Sequence, residues 1–409
     1  MTYLRRHLDD RLIHMLSVHP ACLIEGIRGV GKTSTATQLA ASTLRLDHPP
    51  TADLMARDPE AACASLPKPV LIDEWQRVPT VWDAVRRMID DNRSPGQFVL
   101  SGSARTSVSA DIHAGAGRIM PLRLRPMTLS ERRGQAPAVA LGELAAFGID
   151  ALRGVRSPIS PSEQIRPTVD SGLPGYLEMA EIDHQDALRS YLDLAVSRDL
   201  AEIAPGQRNV RKLRKYLRAY GATVATTAEH ATIHNAAEVS KATGEAYHDL
   251  LDRLGLIEEL PGWSDNRLKR LTKSPKRHLV DPALAAADHH ETASQLSERR
   301  ERLGELFESA AVGQITATAE AMGLGWRFSH LRSAGGENEV DLIADLPEGG
   351  VIAFEVKLTE TVSVRDGRHL TVLRDRLGDA FRAGLVVHPG TTAHRLDQCI
   401  AAAPLGTLV

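Results

Sequence analysis

Cysteine, aromatic residues, long apolar runs and a surplus of one charge are all scarce in this sequence, and each shortage removes a class of function. The three cysteines, Cys22, Cys63 and Cys399, are odd in number, far apart and without a CxxC pair. That removes a disulfide framework, a thiolate zinc site and a redox pair, and it fits a reduced cytoplasm. Phe, Trp and Tyr make up 4% of the chain, too little for an extended platform on which single-stranded bases stack. No apolar stretch reaches the roughly 18 residues that cross a bilayer. The charged opening MTYLRRHLDDRLIHML lacks a signal-peptide core. A cytoplasmic protein without a membrane partner is therefore expected. With a net charge of −3 and a pI near 6.6 there is no global basic field, so any nucleic-acid site has to be local. Internal repeats and low-complexity tracts are also missing.

What is present is ordinary globular composition, 43% hydrophobic and 25% charged over 409 residues, enough for two or three domains with cores of their own. Short apolar segments at 21–25, 70–73, 97–101 and 119–124 alternate with helical patterns, which predicts an α/β first domain over 1–150. The segment 151–170 carries three prolines and little periodicity and reads as a link. Helical spacing dominates a middle domain over 151–290. Strand-like segments at 339–344, 351–357 and 384–387 then predict a third domain over 291–409.

Gly26-Ile27-Arg28-Gly29-Val30-Gly31-Lys32-Thr33 satisfies the P-loop pattern, after an apolar strand and before a helical stretch that opens with Ser34. Glycines let backbone N–H groups converge on ATP phosphates, Lys32 neutralises the outer phosphates, and Thr33 can ligate Mg²⁺. A chance match in a chain of this length is about one in fifty. The companion strand Val70-Leu71-Ile72-Asp73-Glu74 supplies Asp73 for the metal and Glu74 to orient the attacking water. Ser101 ends the next strand as a γ-phosphate sensor, and Arg118 is the candidate to stabilise transition-state charge, in cis or in a neighbouring subunit of a homo-oligomer.

The segments GIRGVGKTS, VLIDEWQ, FVLSGSA, AGRI and PMTLSER resemble those of prokaryotic AAA-type ATPases bearing domain of unknown function 4143. SGLPGYL at 171–177, SRDL at 197–200, KRHLVDPAL at 276–284 and GELFESAAVGQI at 304–315 extend the resemblance over nearly the whole chain. It implies a P-loop AAA-type ATPase domain, a helical, winged-helix-like middle domain and a C-terminal α/β restriction-endonuclease-like domain. Asp281-Pro282-Ala283-Leu284 departs from the family's usual run at that point.

In GENEVDLIADLPEGGVIAFEVK two strands flank a Pro/Gly loop. Placing the loop at 346–350 sets Asp341 opposite Glu355 and Glu339 opposite Lys357, on one face. Close carboxylates repel unless a cation joins them, and oxygen ligands suit Mg²⁺ or Mn²⁺. Asp341 and Glu355, with Glu308 from an earlier helix, are therefore candidate metal ligands, and Lys357 would activate water at a phosphodiester. The bland reading is a solvated hairpin face with Glu339 and Lys357 as a cross-strand ion pair. Against it, both acids sit in runs that read as core.

Nucleic acid, DNA or RNA, is the expected partner through RNVRKLRKYLR at 208–218 and the basic loop RLKRLTKSPKRH at 267–278. The helix-turn-helix-like stretch 235–254 carries His248, Asp249 and Asp252 where a reading face would need arginine. The sixteen histidines, His289-His290 included, show no trusted metal-ligand spacing and read as surface residues. Two functions follow. In one, an ATPase gates a metal-dependent nuclease; in the other, an ATP-dependent switch for partner or DNA binding carries an inactive nuclease-like scaffold.

Overall fold

The computed structural model describes residues 3–103, 117–203, 209–264, 274–333 and 337–409. The chain divides into two compact units, one of Met1–Arg125 with Arg253–Gly255 and one of Pro126–Asp252 with Leu256–Val409.

In the first unit, β1 (Ala21–Gly26), helix α1 (Lys32–Thr37), β2 (Ser42–Arg45), β3 (Val70–Asp73), α2 (Thr80–Asp91), β4 (Phe98–Ser103) and β5 (Ile119–Arg123) follow one another. The strands form one parallel sheet in the order β2-β3-β4-β1-β5. β1 and β3 are short continuous apolar runs because helices cover both faces of a parallel sheet. Helix α2 turns Val81, Trp82, Val85 and Ile89 onto that sheet, where they pack with Ile72, Phe98 and Leu100. Strand β2, whose short STLR run carries no strong signal, is an edge strand that the sequence pattern does not predict.

The second unit opens with a segment that sequence reading assigns partly to the first domain and partly to a link. Gln164, fully buried, donates from Nε2 to the carbonyls of Ile159, Pro389 and Gly390 at 3.0, 2.9 and 2.9 Å, and its Oε1 accepts from Gly406 N at 2.8 Å. Val139 N reaches Thr407 O at 2.9 Å. Residues 126–170 are thus tied to the C-terminal sheet, and the first unit ends at Arg125, short of the expected 150. Local composition reads as a link here because the partners that tie Gln164 and Val139 to the sheet lie more than two hundred residues downstream.

Within this unit, helices α3 (Val210–Gly221), α4 (His230–Ala237) and α5 (Lys241–Arg253) precede an antiparallel hairpin of β6 (Ile257–Leu260) and β7 (Lys276–Leu279), then α6 (Pro282–Asp288) and the long α7 (Arg300–Ala321). There follow β8 (Arg327–Arg332), β9 (Glu339–Asp345), β10 (Val351–Val356), α8 (Arg368–Leu377), β11 (Phe381–His388), β12 (His394–Asp397) and β13 (Ile400–Pro404). These six strands make a mixed sheet in the order β12-β13-β11-β10-β9-β8. Phe307, Ala311 and Ile315 of α7 pack with Leu342, Phe354 and Leu385 of the sheet. The hairpin does not stand apart from this sheet. Trp263 N donates to His330 O at 2.6 Å and His330 N to Pro261 O at 2.9 Å, so the chain leaving β6 runs along the edge strand β8. Middle and C-terminal segments are one compact unit for that reason.

Candidate functional site

The P-loop joins the C-terminal end of β1 to α1. Gly26 has to be glycine, since a Cβ there would lie 2.3 Å from the carbonyl oxygen of Leu124. Gly29 and Gly31 take left-handed φ values of 76° and 101°, which turn the loop and open α1 without a Cβ clash. Lys32 is buried, and its Nζ donates to the carbonyls of Gly26 at 2.9 Å and Ile27 at 3.0 Å, across the loop. The next residue, Thr33, donates from Oγ1 to Asp73, 2.9 and 3.1 Å from its two carboxylate oxygens. Pairing of β3 with β4 sets Asp73 beside Ser101, whose hydroxyl also donates to Asp73. Thr33, Asp73 and Ser101 therefore meet at one point although they lie on three elements. The carbonyl of Ser34, the next residue of α1, accepts from Thr37 Oγ1 and Gln38 Nε2, each at 3.0 Å.

Glu74 follows with a left-handed φ of 56°, uncommon for a residue with a Cβ. Its Oε2 accepts from Gln76 Nε2 at 2.5 Å. Arg118 is not brought to this group. It precedes β5, whose first residue pairs with Ala21, at the opposite end of β1 from the loop. Five residues of strand at about 3.3 Å each separate the two ends by roughly 16 Å. There Arg118 Nε pairs with Asp90 Oδ1 at 2.7 Å. A residue that enters a parallel strand cannot share an end with residues that leave one, and that excludes Arg118 from its own chain's phosphate end. Arg6 is the cation that sequence reading passes over. It donates to Val30 O in the loop at 2.9 Å and to Arg125 O at 2.5 Å, bracing the loop from outside. No local pattern marks it, since its partners lie 24 and 119 residues away.

In the second unit the β9–β10 register pairs Asp345 with Val351 through Leu342 with Phe354, and carrying it on places Asp341 opposite Glu355 as expected. What the acids face is not each other. The ammonium of Lys276, on β7, lies 2.7 Å from Glu308 Oε1, 2.8 Å from Glu339 Oε1 and 2.9 Å from Asp341 Oδ1. Three N–H donors meet three carboxylates, which uses the whole capacity of an ammonium. The Lys276 side chain is only 1% exposed. Burial works against its charge, and the three acids outweigh burial, so its pKa lies well above the ordinary lysine value. Asp341 is pushed up by burial, but Lys276, the Val356 N–H at 2.8 Å and Lys357 hold it below the usual carboxylate range. Glu308 is pushed up to about 8 by burial and by Asp341, against the pull of Lys276.

The expected Glu339–Lys357 pair does not form. Glu339 turns to Lys276, and Lys357 Nζ instead donates to Glu355 Oε1 at 2.7 Å. His369 Nδ1 lies 3.4 Å from the same oxygen. Burial and Asp341 raise the Glu355 carboxyl above its ordinary value against His369 and Lys357. The acids proposed as metal ligands are thus split between two lysines. One of these, Lys276, reads in the sequence as part of a basic loop.

With this geometry in place, residues 18–132 match the AAA domain family and residues 303–408 match a domain of unknown function, DUF4143. The chain therefore carries an AAA domain followed, at its C-terminal side, by a DUF4143 domain. Residues 169–294 match another domain of unknown function, DUF8612. Two uncharacterized proteins, from Mycobacterium bovis and Mycobacterium tuberculosis, are 27% identical over 411 aligned positions, covering 98% of this chain and 83% of theirs. A solved Walker-type ATPase of Pyrococcus abyssi is 15% identical with a TM-score of 0.43, covering 70% of this chain and 96% of its own. No helix among the described residues is long and apolar enough to cross a membrane.

Several basic side chains of the two basic stretches have internal partners, while Arg211 and Lys212 are exposed. Arg214 pairs with Asp193 at 2.7 Å and Asp288 at 2.8 Å, Arg218 with Asp288 at 3.3 Å, and Lys215 with Glu238 at 2.7 Å. Of the basic loop, 267–273 lie outside the described residues, while Lys276 and Arg277 are among the most buried side chains in the protein. Neither is available to a phosphate backbone.

The Glu308 shift makes a prediction about pH. Its carboxyl binds a proton more tightly folded than unfolded, so that share of stability is complete below its ordinary value of 4.5 and is lost as pH rises through about 8. Asp341 runs the other way, its share being present at neutral pH and lost only on acidification. One group gives a slope of at most about 1.4 kcal/mol per pH unit. Glu308→Gln should therefore flatten the fall in stability across this window, as measured by urea unfolding at a series of pH values. A slope equal to that of the wild type would show that Glu308 does not carry the proton.

Proposed function

We propose that this protein is an ATP-driven switch in which the first unit binds and hydrolyses Mg-ATP. Its C-terminal domain is then a restriction-endonuclease-like scaffold held closed by Lys276, with nucleic acid as the partner. The reading of the first unit rests on Thr33, Asp73 and Ser101 meeting beside the P-loop. That donor set is entirely oxygen, the chemistry Mg²⁺ requires. Bound Mg²⁺ would neutralise charge between the β- and γ-phosphates. Lys32 would exchange the carbonyls of Gly26 and Ile27 for phosphate oxygens, Ser34 would flank the phosphates at the start of α1, and Glu74 would orient the attacking water.

The closed scaffold rests on one observation, the ammonium of Lys276 lying where Glu308, Glu339 and Asp341 converge. A buried lysine that satisfies three carboxylates supplies the charge compensation that a divalent ion would otherwise give. Helices α4 and α5 followed by the β6–β7 hairpin support the winged-helix-like reading of the middle segment. A second reading is favoured by Asp341, Glu355 and Lys357 sharing one hairpin: a gated nuclease, in which nucleotide and nucleic acid together withdraw Lys276 and admit Mg²⁺ or Mn²⁺. Labelled single- and double-stranded DNA and RNA, incubated with the protein with and without Mn²⁺ and ATP, separate the two. The switch predicts ATP-sensitive binding and no cleavage under any condition. Metal-dependent cleavage that needs ATP would replace it with the gated nuclease.

A further inference from the structure

Sequence spacing offers no metal site among the histidines, yet the fold gathers two of them with an acid. His230 opens α4, His248 lies on α5 and Glu259 on β6, and one ligand atom from each lies within 4.8 Å of the other two. His230 Nε2 and His248 Nε2 stand 3.9 and 3.8 Å from Glu259 Oε1. These separations are too long for hydrogen bonds. Metal bonds of about 2.0–2.2 Å hold ligand atoms roughly 3.3–3.6 Å apart, so side-chain rotations that move the ligand atoms by about an ångström would close the shell. Glu259 Oε1 is inaccessible to solvent and accepts no hydrogen bond, and His248 Nδ1 is likewise buried without a partner. The nearest cation to that oxygen is Arg277 Nε at 3.6 Å, too far to hydrogen-bond; that Nε is itself buried without a hydrogen-bond partner, while the guanidinium donates through Nη1 to the Ala228 carbonyl. A buried carboxylate oxygen with no donor is costly unless something compensates it.

We propose that His230, His248 and Glu259 form a zinc-class metal site that staples the helix pair α4–α5 to the hairpin. Two imidazole nitrogens and one carboxylate oxygen suit Zn²⁺ and Co²⁺ rather than Mg²⁺, with water in the fourth position. The His230 side chain is 43% exposed, which gives an ion a way in. Since Arg277 and Lys276 are neighbours on β7, a metal here also steadies the strand that carries Lys276.

The test uses the untagged full chain, free of nucleotide and stripped of metal. Calorimetry with Zn²⁺ should show one site, and Co²⁺ should give a visible spectrum without thiolate charge transfer. His248→Ala and Glu259→Gln should each weaken Zn²⁺ binding by at least about a hundredfold, and Zn²⁺ should raise the melting temperature of the wild type but of neither variant. No Zn²⁺ uptake by the wild type, binding that survives both substitutions, or a thiolate band would each overturn the site. Should a variant fail to fold by circular dichroism, His230→Ala, on the exposed side, decides by whether the Co²⁺ spectrum is lost or retained.

Discussion

Lys276→Met should destabilise the second unit by about 3–5 kcal/mol, the range for removing one partner from a buried ionic group. Methionine fills a similar volume, so the loss comes from charge rather than from a cavity. Three carboxylates from β9 and α7 would be left facing each other without the cation that satisfies all of them. The loss should be larger above about pH 8, where Glu308 is ionised as well, than below it, where the proton on Glu308 removes one of the repelling charges. Guanidinium unfolding of the wild type and of Lys276→Met at two pH values reads both effects. A loss under about 1 kcal/mol, the scale of an exposed ion pair, would show that Lys276 is a surface lysine and not the compensating charge of this cluster.

Lys32→Ala should weaken ATP binding by about 30- to 5000-fold, from the roughly 2–5 kcal/mol at stake when one member of a buried charge pair is truncated. Glu74→Gln should leave affinity near that of the wild type and lower turnover by about two to three orders of magnitude. The two are expected to differ in kind because, in the proposed function, Lys32 would face the phosphates in ground state and transition state alike, whereas Glu74 would act on the water only during attack. Fluorescent-nucleotide titration and phosphate release on both variants separate these outcomes. Wild-type turnover in Glu74→Gln would remove Glu74 from its role. Arg118→Ala should leave turnover within twofold in the isolated chain, given that Arg118 sits at the far end of β5 and is paired with Asp90.

The nucleotide site is legible in sequence because its parts are contiguous or stand at strand ends. A glycine-rich turn, a lysine and a hydroxyl follow one strand, and an acid ends another; parallel pairing then brings Asp73 to Ser101 without further information. Arg118 is not brought to its own chain's P-loop because it lies just before β5, at the opposite end of the sheet, and charge and proximity in sequence do not tell the two ends of a strand apart. The hairpin is legible for a similar reason, since a short loop determines its register and so the face shared by Asp341 and Glu355. Lys276 is not, because its partners lie 32 to 65 residues further on and its own surroundings, SPKRHL, read as solvated. Burial of a charge depends on tertiary partners, and local polarity points the wrong way when those partners exist. The same holds for His230, His248 and Glu259, which come from three elements with no common spacing. The stretch 126–170 reads as domain end and link because the bonds that tie Gln164 and Val139 to the sheet lie at 389–407.

The most direct measurement of the closed centre is calorimetric titration of Mg²⁺ into the nucleotide-free full chain and into Lys276→Met, side by side. Mg²⁺ takes oxygen ligands and leaves imidazole sites alone, so it reports on the carboxylates. The account predicts no Mg²⁺ uptake by the wild type outside the Thr33–Asp73–Ser101 group, and one further bound ion in Lys276→Met that is lost again when Asp341→Asn is added. Mg²⁺ binding by the wild type that disappears with Asp341→Asn would contradict it, for a metal would then share the cluster with Lys276 in place.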